Sequence, residues 1–245
     1  MNPIPTGVPF GTIAAIRRYP VKSMAGEALA AADLHRTWMH GDRQYAFVKA
    51  SDTSDFPWLT GRDVPDLVRH RAHYAGGGDP KRARVVVEDP DGVEHDIRDT
   101  VLARRLTEAA GAPVWLLRLG RGAFDAMPVS VITTTTAEAI SQAHGAAVAL
   151  DRFRSNIVIQ PDEPVSEHDW LGRRLVFGDR DGAPSLGADW LIPRCAMVGI
   201  DPVTATRDAS IVRTVVQRFG NQVGVYCSVH TPGTVRVGDR VRLAA

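Results

Sequence analysis

Apolar and polar positions alternate in short runs along most of the chain, a period of two that predicts strands more often than helices. Thr12–Tyr19 (TIAAIRRY) reads as a strand stopped by Pro20, and Gln44–Lys49 (QYAFVK) as another, entered from the turn-forming pair Gly41-Asp42. Arg84–Glu88 and Val93–Ile97 flank Asp89-Pro90-Asp91-Gly92, a hairpin-type turn. Further strands are predicted at Val114–Leu119, Val129–Thr133, Phe153–Ile159, Arg174–Phe177 and Gly224–Val229, with two short ones around Gly238-Asp239. The stretch between Phe177 and Leu191 reads as a loop particular to this chain.

A helical period appears in three places. Asp99–Gly111 has Asp99 as N-cap, Leu102, Leu106 and Ala109 on one face, and Gly111 as stop. Thr136–His144 is preceded by Thr135 as N-cap of a Thr135–Glu138 capping box and closed by Gly145. Ala209–Phe219 is the third. Many short strands with few helices predict an α+β chain, mainly β and barrel-like, without the regular alternation of a doubly wound fold. Gly120–Met127 marks the expected boundary between two halves.

Composition narrows the function. The chain has 245 residues, 44% hydrophobic and 23% charged, with a formal net charge of +1. No global field draws it to nucleic acid or to an anionic membrane, so any anion site must be local. No apolar run approaches a membrane span, Met1–Thr12 has no basic leader region, and two cysteines make no disulfide framework; a cytoplasmic location is expected. P-loop, G-x-G-x-x-G, G-x-S-x-G and C-x-x-C motifs are all missing from the sequence.

The chemistry-bearing residues fall into a few groups. Cys195 follows Arg194, a neighbour that favours thiolate; the alternative is a small buried hydrophobe. Cys227 alternates with Val223, Val225 and Val229, which predicts core packing. Arg152, Arg154 and Asn156 would share one face of the 153–159 strand, either as forks for phosphate or pterin oxygens or as a solvated face. Thr133–Thr136 leads into a helix N-terminus that favours anions or is simply capped. Lys22 and Ser23 lie in a loop after the first strand, and Arg43 precedes the next. His70 and His73 have no matching pair at zinc spacing.

In order along residues 11–243, these segments resemble the MOSC superfamily, in the branch with an N-terminal MOSC-associated β-barrel domain that includes the mitochondrial amidoxime-reducing component. The matching pieces include Tyr19–Ser23, Gly41-Asp42-Arg43, Leu59–Arg62, Arg152–Ile157, Trp170-Leu171-Gly172, Pro193-Arg194-Cys195, Asp201-Pro202 and Gly224-Val225-Tyr226. The resemblance implies a MOSC-associated β-barrel domain over 11–122 and a MOSC domain over 123–245. It implies that Cys195 ligates the molybdenum of a molybdopterin cofactor. Lys22, Ser23, Arg43, Thr133 or Thr134, Arg152, Arg154 and Asn156 would contact the cofactor. The implied activity is reduction of N-oxygenated small molecules, with electrons from separate electron-transfer proteins because no ferredoxin domain follows Ala245. Asp201 is a proton-relay candidate, though an Asp-Pro turn also accounts for it. The superfamily also contains the C-terminal domains of cofactor sulfurases, which implies an alternative role as a cofactor carrier or sulfuration-related module. A third alternative is a divergent member binding another small anion. One departure is Thr204-Ala205, where the family usually carries Thr-Gly.

Overall fold

The computed structural model describes residues 7–245; of the N-terminal stretch considered above, residues 1–6 lie outside the described residues. The first half carries β1 (Pro9–Arg18), β2 (Glu27–Leu29), β3 (Ala31–His35), β4 (Trp38–Met39), β5 (Tyr45–Lys49), β6 (Arg71–Tyr74), β7 (Val85–Glu88), β8 (Glu94–Asp96), α1 (Thr100–Ala110) and β9 (Val114–Arg118). The second carries β10 (Val129–Thr133), α2 (Thr134–His144), β11 (Ile157–Pro161), β12 (Arg174–Phe177), β13 (Ser185–Pro193), α3 (Ala209–Phe219), β14 (Gln222–Thr231), β15 (Gly233–Arg236) and β16 (Arg240–Ala244). The described residues are mainly β with three α-helices, as the alternation predicts.

Strands β11, β10, β14, β13, β12, β16 and β1 are neighbours in that order, and β1 pairs back onto β11, so the sheet closes into a barrel. The grouping in space therefore crosses the division in sequence: β1 comes from the first half and completes the barrel of the second. Strand β3 likewise pairs with β15. Gly11 marks how closely β1 and β11 approach, since a Cβ there would lie 2.6 Å from the Gln160 carbonyl oxygen.

Alternation explains the barrel's two faces. Val129, Val131, Ile157, Ile159, Val225, Cys227, Val241 and Leu243 pack into one core with Trp170 and Phe177. The opposite faces of β10 and β11 send Ile132 and Val158 to meet Ile140 of α2 and Ile211 and Val215 of α3. Both faces of β11 are buried, hence the unbroken apolar run Ile157-Val158-Ile159. A separate core in the first half joins Phe47, Leu67, Val85 and Val87 to Leu102 and Leu106 of α1, as its helical period predicts, while Ala109, read onto the same face, is exposed and Ala110 packs there instead.

Three local expectations are corrected. Phe153 is not in a strand: Leu150–Phe153 form one turn of 3₁₀ helix, Arg154 has φ 52°, and β11 begins only at Ile157. Turn bonds from Arg152 N–H to Ala149 O and from Arg154 N–H to Asp151 O replace the ladder, and Phe153 packs under α3 instead. The N-cap of α2 is Thr133, whose hydroxyl accepts from Thr136 N–H at 3.1 Å, so the helix starts two residues earlier than a Thr135 cap would place it. The expected loop before Leu191 contains β13, whose three register shifts against β14 destroy the period-two signal. The two strands expected around Gly238-Asp239 are present, and each joins a different neighbour: β15 joins β3, and β16 joins β1 and β12.

The Thr204-Ala205 departure puts a side chain on left-handed backbone. Asp201 Oδ1 accepts from Val203 N–H and Thr204 N–H, both at 2.9 Å, and Ala205 takes a left-handed φ of 58°. A Cβ is disfavoured there and absent in glycine. Ala205→Gly should raise stability by up to about 1 kcal/mol, the relieved strain being partly offset by unfolded-chain entropy. Urea denaturation checks this, and a lowered midpoint would contradict it.

Candidate functional site

Five non-glycine residues among those described have positive φ, and three of them, Ser23, Arg43 and Arg154, line one cavity. Strained backbone of this kind persists only where surrounding contacts enforce it. The cavity measures about 430 Å³ and lies where the loop after β1 and the approach to β5 meet the turn before β11 and the residues after β13. Seven of the residues expected from sequence come together there: Lys22, Ser23, Arg43, Arg152, Arg154, Asn156 and Cys195.

The arginines are fixed by the fold. Arg43 and Arg154 place their guanidiniums 4.8 and 4.5 Å from the centre of the Tyr19 ring. Arg43 also pairs with the fully buried Asp42 and donates to Arg154 O at 3.0 Å. Asp42 in turn accepts from Tyr19 N–H at 2.8 Å. Arg154 donates to Met24 O at 2.6 Å, and burial lowers its guanidinium to about 10, still charged at neutral pH.

Arg194 contributes more than the local field expected of it. Its Nε donates to Val223 O and its Nη1 to Phe153 O, both at 2.8 Å, tying the residue before Cys195 to β14 and to the turn before β11. Its Nη2 packs close to Gly224, where a φ of 74° and a Val131 carbonyl oxygen 2.7 Å from any Cβ favour glycine. Burial lowers this group too, to about 10. Arg152 donates to Asp201 Oδ2 at 2.6 Å. Asp201 is thereby held by an arginine and two turn amides, and it does not line the cavity.

Asn156 is committed internally. Its Oδ1 accepts from Ser130 N–H at 3.1 Å and Ser130 Oγ at 3.0 Å, and its Nδ2 donates to Arg17 O at 3.3 Å. It pins β1 to the start of β10 beside Arg43. Arg152, Arg154 and Asn156 thus converge through a turn and a left-handed residue, not as one strand face.

Thr133 and Thr134 are not among the lining residues. The α2 N-terminus does receive an anion, supplied by the chain itself. Glu167, 5% exposed, accepts from Thr133 N–H at 3.0 Å and from the hydroxyls of Thr133 and Thr136 at 3.1 and 2.6 Å. Thr134 instead donates to Gln160 Oε1. Glu167 has no local sequence signal, because its partners lie 31 and 34 residues away.

The two cysteines separate as expected. Cys195 is exposed and lines the cavity, between the end of β13 and a one-turn helix, Ala196–Gly199. Cys227 is fully buried in the barrel core, where burial pushes its thiol up. Around the cations runs an apolar wall that includes Phe56, Phe124, Met127, Met197 and Tyr226. Of these, Tyr226 lies in a sequence segment singled out above, while Phe56 and Phe124 lie in irregular stretches with no pattern to flag them.

The donor set fits an anionic group bearing a soft metal. Six cationic side chains line the cavity: Lys22, Arg43, Arg62, Arg152, Arg154 and Arg194. Buried nitrogens of two of them, Arg152 Nε and Nη1 and Arg194 Nη2, have no hydrogen-bond partner, an expensive arrangement that an added acceptor would relieve. Cys195 is the soft donor beside them.

Removing the carboxylate at α2 should show that Glu167 is structural. Glu167→Ala leaves buried donors unsatisfied and should cost about 1–3 kcal/mol in chemical denaturation. A loss below about 0.5 kcal/mol, the scatter of an ordinary surface change, would contradict this.

Comparison with known proteins agrees with the architecture. The MOSC domain family model matches residues 109–242, and the MOSC N-terminal beta barrel domain model matches residues 10–127. Among curated proteins, the molybdenum cofactor sulfurase of Anopheles gambiae is 34% identical over 82 residues, which is 33% of this chain and 10% of that protein. The molybdenum cofactor sulfurase of Bombyx mori is 31% identical over 91 residues, 36% of this chain and 10% of that protein. The chain thus spans about a tenth of the length of these relatives. The crystal structure of the YUAD protein from Bacillus subtilis superposes with a TM-score of 0.50 at 14% identity, covering 95% of this chain and 94% of that one, a likeness of fold. With a closed barrel, a first-half sheet assembly and family matches that together run from residue 10 to 242, the chain belongs to the MOSC family.

Proposed function

We propose that this protein binds a molybdenum cofactor and reduces N-hydroxylated or N-oxygenated small molecules, using electrons from separate electron-transfer proteins. The observation that carries the proposal is the meeting of exposed Cys195 with six cationic side chains in one cavity. The naming of the insect relatives as molybdenum cofactor sulfurases supports the choice of cofactor.

Lys22, Ser23, Arg43, Arg152 and Arg154 would hold the phosphate and pterin oxygens, and Cys195 would give its thiolate to the metal. A thiolate suits molybdenum as a soft, anionic donor. When bound, the cofactor supplies two-electron redox chemistry suited to removing oxygen from an N–O bond. The chain's own part is positioning. Tyr19 and Asp42 keep Arg43 and Arg154 in place before any ligand arrives, which reduces the ordering cost of binding. Arg194 fixes the backbone that carries Cys195. Phe56, Phe124, Met197 and Tyr226 form the apolar wall that would take the body of a substrate and exclude water.

A second role, as a carrier or sulfuration-related module without turnover, is favoured by the sulfurase names of the relatives. Expression in a molybdopterin-competent host separates the two. The purified protein should contain molybdenum and release a fluorescent oxidised pterin, and absence of both would contradict cofactor binding. With an artificial donor and a hydroxylamine, turnover should disappear in Cys195→Ala; turnover that survives would rule out thiolate ligation. Arg154→Glu should lower cofactor occupancy about tenfold or more, since it places a carboxylate among buried anion contacts. Cofactor retained without turnover on a broad N-oxygenated panel would favour the carrier.

A further inference from the structure

Against its six cations the cavity lining presents a single carboxylate, Asp125. It sits on the segment that crosses from β9 to β10, over residues 119–128. That segment is strapped to the cation cluster. Ala123 N–H donates to Arg43 O at 2.7 Å, and Ala123 O accepts from Lys22 Nζ at 2.8 Å. Asp125 then pairs with the same Lys22 ammonium. At Gly122 the strap folds so tightly that a Cβ would collide with the Phe124 ring and lie 2.5 Å from Asp42 O.

The two members of the pair differ in exposure. The Lys22 side chain is 6% exposed and that of Asp125 is 57% exposed. A buried ammonium needs a counter-charge, and Asp125 supplies it. The lysine cannot leave the cavity without losing Ala123 O and its place 5.1 Å from the Phe56 ring. The carboxylate, 57% exposed, has open solvent on its outer side into which it can turn once another anion pairs the lysine. Arg43 and Arg62 also act electrostatically on Asp125, so it partly neutralises three cations at once.

We infer that Asp125 is a built-in counter-ion that competes with a phosphate-bearing ligand for Lys22 and so sets the affinity of the cavity for anions. Ligand capture exchanges one anion for another at Lys22, while Asp125 moves into water and relieves its repulsion with the ligand. The exchange keeps the lysine paired in both states. This inference rests on the proposed anion-binding role of the cavity.

The test is titration of the cofactor-free 245-residue chain, made in a host without molybdopterin synthesis, with inorganic pyrophosphate by calorimetry. Asp125→Asn should bind about three- to tenfold tighter than the unmodified protein, the range expected when a half-exposed opposing charge is removed. Asp125→Ser should do the same, which guards against a peculiarity of one substitution. Lys22→Met should weaken binding, and in that background Asp125→Asn should gain less, since the coupling runs through the lysine. Equal or weaker binding by both Asp125 variants would overturn the inference, as would an undiminished gain without Lys22. If none of the proteins binds pyrophosphate while the unmodified protein still retains molybdenum and pterin in a competent host, the competition is wrong and cofactor binding stands. Loss of both results would remove the anion site itself.

Discussion

Closure of the barrel by β1 is the constraint on which the site depends. One strand, from the opposite end of the sequence, pairs with β11 along one edge and β16 along the other. Its end delivers Tyr19, Lys22 and Ser23 to the same place as Cys195. The buried Asn156 amide records how tightly this is specified, since it bonds both the β1 backbone at Arg17 and Ser130 at the start of β10. Without β1 the end of the sheet would have a thiol and some arginines, but no lysine and no Tyr19 platform.

Electrostatics build on that geometry. A formal net charge of +1 conceals a strong local imbalance, with six cations and one carboxylate facing a single cavity. The cost of gathering like charges is met by neutral and aromatic partners: carbonyl oxygens of Met24, Arg154, Val223 and Phe153, and the Tyr19 ring. Such partners hold a guanidinium in place without cancelling its charge, so the field remains available to a ligand. Asp42, Asp125 and Asp201 do neutralise, and of these only Asp125 lines the cavity.

Much of this was legible in the sequence, for identifiable reasons. Strands with one buried face announce themselves by alternation, and α1 by its Asp99 cap, its Leu102 and Leu106 face and its Gly111 stop. Cys227 was readable from its apolar neighbours alone. What escaped was set by distant partners. β13 is hidden by register shifts against β14, and Arg154 adopts a left-handed backbone that no local pattern demands. The threonines before α2 looked like a ligand site because the sequence shows the helix terminus but not Glu167, which arrives from another turn of the chain. Seven of the expected residues nonetheless line one cavity, because the ordered family resemblance carries positions even where the assumed strand geometry was wrong.

The coordination of molybdenum by Cys195 is tested most directly by counting sulfur ligands with X-ray absorption at the molybdenum edge, on protein loaded in a molybdopterin-competent host. The account predicts that the loaded protein shows the two dithiolene sulfurs and one more, and that Cys195→Ser loses one while the pterin is still bound. An unchanged sulfur count in that variant would contradict it.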